Sequence, residues 1–81
     1  MKMESVAVLR WVPSVTLLEG EDAVATLLET ALAEAVAGNG LTARGSFTIR
    51  QVAAGEYPHA DAARPADDPG ALLHLAEVDV D

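Results

Sequence analysis

The chain contains no cysteine, which excludes disulfides and thiolate metal sites outright. Aromatic side chains are scarce, with one Trp, one Tyr and one Phe in 81 residues. Cationic residues are few as well: five Lys and Arg stand against 13 Asp and Glu, for a net charge of −8. That balance argues against nucleic acid or an anionic membrane as a direct partner, because both have to be met by clustered Lys and Arg. It favours solubility, or a basic protein surface as partner. No apolar run approaches the roughly 20 residues of a membrane span. The opening MKMESVAVLRWVP is interrupted by Arg10 and followed by no small-residue cleavage site. No signal peptide is expected from it, and the expected location is the cytoplasm or a virion.

What is present is alanine, short β-branched runs and carboxylates. The hydrophobic fraction is 51%, but much of it is Ala, so large core side chains are in short supply. A chain of this length buries only about 60% of its unfolded surface. Small domains compensate with disulfides, metals or partners. With cysteine absent, partners are the expected compensation. The Ala-rich composition with a single Lys, Lys2, also suits a GC-rich genome.

Ser5–Val12 reads SVAVLRWV and is closed by Pro13, which predicts a strand. Val6, Val8 and Val12 share one face with Arg10, while Ala7, Leu9 and Trp11 share the other. A strand apolar on both faces expects cover on both. Ser14–Gly20 reads as a connector; its TLLE matches a capping-box pattern, but Gly20 follows at once. Glu21–Ala37 places Val24, Leu27, Leu28, Ala31, Leu32, Ala35 and Val36 on one helical face, with Asp22 as a candidate N-cap and Gly38-Asn39-Gly40 as the stop. Leu41–Ala53 alternates as a half-buried strand in which Gly45 marks a bulge or a close contact. Ala71–Val80 is a last strand with Leu72, His74, Ala76, Val78 and Val80 on one face.

The order β-α-β-β predicts a single small α+β domain over residues 1–81. It is a three-stranded mixed sheet with one amphipathic helix packed on one face. The first two strands are expected to lie parallel across a right-handed crossover. The last two are expected to pair antiparallel, with Arg44 and Arg50 facing Glu77 and Asp79.

The stretch GEYPHADAARPADDPG, Gly55–Gly70, forms a long Pro-rich loop. Pro58, Pro65 and Pro69 each remove a backbone donor and push the preceding residue toward extended conformations. Loops beyond about 12–15 residues are functional or disordered more often than not. This one holds too little apolar bulk to bury within its own domain. It is read either as a floppy hairpin tip or as an arm laid on a neighbouring subunit, with Tyr57 as its anchor.

Catalytic and metal motifs are weak. Glu56, His59, Asp61, Asp67, Asp68 and His74 do not reach a recognisable zinc or calcium pattern. Ser14 and Ser46 sit in contexts without an evident base. No catalytic, cofactor-binding or metal residues are assigned, no cofactor is expected, and the chain is read as a non-enzyme.

One helix can cover only one face of the sheet, so the first strand is expected to form an interface. The candidate interface residues are Val6, Val8, Arg10, Trp11, Val12 and Tyr57. Exposed apolar patches mark such surfaces, and Trp is the side chain most enriched at their centres. The expected function is that of a structural or assembly protein, a small subunit that associates with itself or a larger assembly, for example as an accessory bacteriophage virion component. The alternative is an acidic protein-binding module, of inhibitor or immunity type, for a basic partner, using a helix surface with Asp22, Glu29 and Glu34.

Overall fold

The computed structural model describes residues 4–81. Its elements are β1 (Glu4–Val12), α1 (Ser14–Glu19), α2 (Glu21–Gly38), β2 (Ala43–Gln51), α3 (Pro58–Ala62) and β3 (Leu72–Val80). The fold is α+β, as the sequence predicts, with the strands in the order β1-β3-β2. β3 lies in the middle and runs antiparallel to both neighbours. β1 and β2 therefore point the same way without touching, and the sheet is antiparallel throughout instead of mixed. The crossover through α2 leaves a gap one strand wide, and β3 returns into it.

The central position of β3 explains its sequence. Leu73, His74, Ala76, Val78 and Val80 are all buried, because this strand has a neighbour on either side and cover above. His74 fits this setting with its ring Nδ1 3.1 Å from the Leu72 carbonyl. The edge strands are wetter. Every residue of β2 is exposed except Phe47 and Ile49, which are half-buried.

The core lies between the sheet and α2. Leu28, Leu32 and Val36 of the helix meet Val8 and Val12 of β1 and Ala76, Val78 and Val80 of β3. Leu28 and Val12 are completely buried. The helix thus covers the Val8 face of β1, and Trp11 lies on the opposite face. Each fully buried Val or Leu contributes about 1.5–3 kcal/mol, so this small set dominates the stability. The N-cap of α2 is Gly20, with Glu21 and Asp22 in the first turn, where carboxylates complement the helix dipole.

Two short helices differ from the expectations. α1 occupies the Ser14–Glu19 connector, and Gly20 separates it from α2 instead of preventing it. α3 occupies the front of the Pro-rich stretch, with Pro58 in its first turn, where a missing N–H costs nothing.

β2 carries an irregularity. Ala43 and Arg44 oppose Val80 and Asp79, but the next partners are Thr48 and Glu77. Four residues of β2 advance there against two of β3, which is a bulge. Gly45, with φ +74°, takes the left-handed conformation that the bulge requires. The expected cross-strand match of Arg44 with Asp79 is realised in the register, while Arg50 lies opposite Leu75. The ion pairs that form are Arg44–Asp81 at 3.3 Å and Arg50–Glu56.

Candidate functional site

Six residues were expected to form an interface, and the structure separates them. Val8 and Val12 lie in the core beneath α2, so this chain covers them itself. Both are withdrawn from the candidate surface, for the simple reason that the helix packs on the valine side. Val6 is half-buried at the margin of that core. Arg10 is exposed, and its guanidinium donates to the carbonyl of Leu9 at 2.9 Å. Trp11 is half-buried on the other face of the sheet, and Tyr57 is half-buried just before α3.

Trp11 is covered by the Gly55–Gly70 stretch. Its indole Nε1–H donates to the carbonyl of Ala60 at 3.2 Å. The Arg64 guanidinium sits 5.2 Å from the ring centroid, within reach of a cation–π attraction. The Gly55 amide donates to Asp61 at 2.9 Å. Farther along, the Ser14 amide donates to Asp68 at 3.0 Å. That bond satisfies an orphan donor at the start of α1 and holds the Asp68 carboxyl below its ordinary pKa. Gly70 closes against α1 so tightly that an added Cβ would come within 3.1 Å of the Ser14 Cβ.

The stretch is therefore neither a floppy tip nor an arm reaching outward. It folds back over its own sheet and ties β1, α1 and β3 together. At its root, Glu56 accepts from Arg50 and from the Ala53 amide. The hydrogen bond from Arg50 lowers the Glu56 pKa and raises that of Arg50.

With Val8, Val12 and Trp11 covered, what remains of the first strand is its outer edge. β1 is a terminal strand of the sheet. It pairs with β3 in unbroken register from Glu4↔Val80 to Val12↔Leu72. No other strand pairs along its other side among the described residues, where the Arg10 guanidinium bonds the outward Leu9 carbonyl. Half-exposed Val6 and Leu9 and exposed Ala7 lie along it, framed by exposed Glu4 and Arg10. The strand's apolar character was legible in the sequence. That its edge rather than its face is free depends on β3 taking the central place, which no local pattern encodes.

Two apolar features were missed. An open cavity of about 280 Å³ lies between α2 and β2, walled by Leu32, Val36, Leu41, Phe47 and Val78, with Glu29 at its side. On α1, Val15 is 63% and Leu18 89% exposed. The TLLE stretch, read as part of a connector, concealed this helical pair.

Among the described residues, no group of three or more His, Cys, Asp or Glu is placed to hold a metal ion. No helix among them is long and apolar enough to cross a membrane. The class that fold and surface define is a small α+β domain with one regular, uncovered strand edge. No family model, no curated protein and no solved structure matches this chain.

Proposed function

We propose that this chain is a non-enzymatic assembly subunit that associates with copies of itself through its first strand. The observation that carries this reading is the free edge of β1: nine residues long and in unbroken register with β3, with Val6, Ala7 and Leu9 along its accessible part. An uncovered edge of that kind is a template for pairing with another chain.

An accessory component of a bacteriophage particle is one concrete form of such a subunit.

The measurement is solution mass, by size-exclusion chromatography with light scattering at low and high salt. A discrete oligomer at both salts is expected, because a strand-edge interface rests on backbone hydrogen bonds and apolar contact. A monomer at both salts overturns the reading.

A second reading has its own observation. Glu21, Asp22, Glu29 and Glu34 are exposed on α2. The ion pairs among the described residues, Arg44–Asp81 and Arg50–Glu56, lie elsewhere. That uncompensated helix surface would suit a basic protein partner. Capture of such a protein at low salt and its release at high salt, by a chain that stays monomeric, would favour this reading over self-assembly.

A further inference from the structure

We propose that two copies join through the free edge of β1 in an antiparallel pairing with its two-fold axis at Ala7, so that Glu4 of each copy faces Arg10 of the other. This deepens the self-association reading and rests on it. Three features of the chain lead to this register.

The first is the contrast between the two edges of the sheet. β1 is regular along its whole length, whereas β2 is bulged between Arg44 and Thr48. A bulge twists an edge and interrupts its hydrogen-bonding groups, which blocks addition of another strand. The molecule has blunted one edge and left the other straight.

The second is charge. Within β1 only Glu4 and Arg10 are charged, and both are exposed. In an antiparallel pair, directly opposed residues have numbers with a constant sum. A sum of 14 sets Glu4 against Arg10 twice, Val6 against Val8 twice, Ser5 against Leu9 twice, and Ala7 against its own copy. The small Ala7 side chains fit at the axis. Centring the pairing on Val8 instead places Arg10 opposite Val6 and Glu4 opposite Val12, which strands both charges against apolar partners. Opposite charges stabilise a cross-strand pair and fix its register.

The third is the flank of α2. Leu28, Leu32 and Val36 point at the sheet. Glu29, Ala33 and Ala37 turn toward β2, where they border the cavity. At 100° per residue, Val24, Leu27, Ala31 and Ala35 occupy the opposite flank, which overlooks β1. All four are half-buried, and none carries charge. A register with an even sum puts both α2 helices on the same face of the joined sheet. These flanks then meet across the axis, and Ala31 and Ala35 permit close approach of the two helices. The product is a six-stranded antiparallel sheet with a pair of helices above its centre.

The test is a charge swap read by sedimentation equilibrium at low salt, on variants whose far-ultraviolet circular dichroism matches the parent. Glu4→Arg and Arg10→Glu each weaken the dimer by about tenfold or more, because each change converts two attractive pairs into two repulsive ones. The double variant returns to within a few-fold of the parent. A parent dimer indifferent to both single changes, or a double variant as weak as the singles, overturns this register while leaving self-association standing. A monomeric parent overturns both.

Cross-linking gives an independent readout, since the chain has no cysteine. Ala7→Cys forms an intermolecular disulfide on mild oxidation, because residues opposed at the axis have Cα atoms within disulfide range. Ala66→Cys, on the exposed far loop, does not. A parent dimer in which Ala7→Cys fails to cross-link overturns the register.

Discussion

Replacing Leu28 with Ala is expected to lower the unfolding free energy by about 3 kcal/mol, within the range found for buried leucines. Leu28 is completely buried and packs in the cluster that holds α2 on the sheet. Its neighbours belong to three different elements, so the vacated space cannot close without moving one of them, and the cavity cost adds to the lost transfer energy. A domain of this length has about 4–12 kcal/mol to lose. The melting temperature should fall by roughly 12–24 °C. Urea denaturation is the sharper check, because a lower midpoint at unchanged slope separates lost stability from a changed denatured state. Leu18→Ala serves as the contrast: at 89% exposure it should shift stability by less than about 0.5 kcal/mol. A loss below about 1 kcal/mol for Leu28→Ala would contradict the packing of α2 described above.

The second large effect is expected at Trp11. Trp11→Ala removes a half-buried ring, its hydrogen bond to the Ala60 carbonyl and the platform under Arg64. The expected loss is about 2–3 kcal/mol, below the full cost of a buried tryptophan because part of the ring already meets solvent. The effect should also be local. Hydrogen exchange of the Asp61 and Ala63 amides, which bond to Tyr57 and Ala60, should accelerate strongly. The Val52 amide, bonded to Leu73, should stay protected. Trp11→Phe keeps most of the ring and removes the N–H, so it should cost about 1 kcal/mol, the usual contribution of one such bond. Equal acceleration at Asp61 and Val52 would mean that Trp11 supports the whole sheet and not the loop.

These effects show which parts of the fold the sequence carried. The alternation around Val8 and Val12, the helical spacing of Leu28, Leu32 and Val36, and the apolar run from Leu72 to Val80 are local patterns, and each became the expected element. Gly45 reads as a bulge or a close contact, and it lies in a bulge. The side of the sheet that α2 covers was not legible, because both faces of β1 are apolar and only long-range packing decides between them. The place of β3 was also hidden. Strand order depends on pairings between distant residues, such as Glu4 with Val80, and no window of sequence spans them.

The Pro-rich stretch misled for a different reason. It holds little apolar bulk, so composition reads it as unanchored, yet three contacts from outside hold it: the Trp11 indole, the Ser14 amide and the face of α1 against Gly70. Each is made by a residue more than 40 positions away. α1 is hidden in the sequence because a glycine ends a helix as readily as it divides two, and Gly20 divides two.

Strand order also has a consequence during synthesis. Both edge strands precede the one strand that pairs with them. While a ribosome is making residues 13–71, β1 has left its own partner unmade, and β2 emerges into the same condition. A chain halted before Leu72 would have three helices and two strands that are not neighbours, since β1 and β2 are joined only through β3. Pairing then closes contacts across most of the chain at once, which makes sheet formation late and slow relative to helix formation. Through that interval the outward side of β1 is no more exposed than its inward side. If copies self-associate as proposed above, a nascent chain beside another copy on the same message would meet a strand identical to its own before it meets β3.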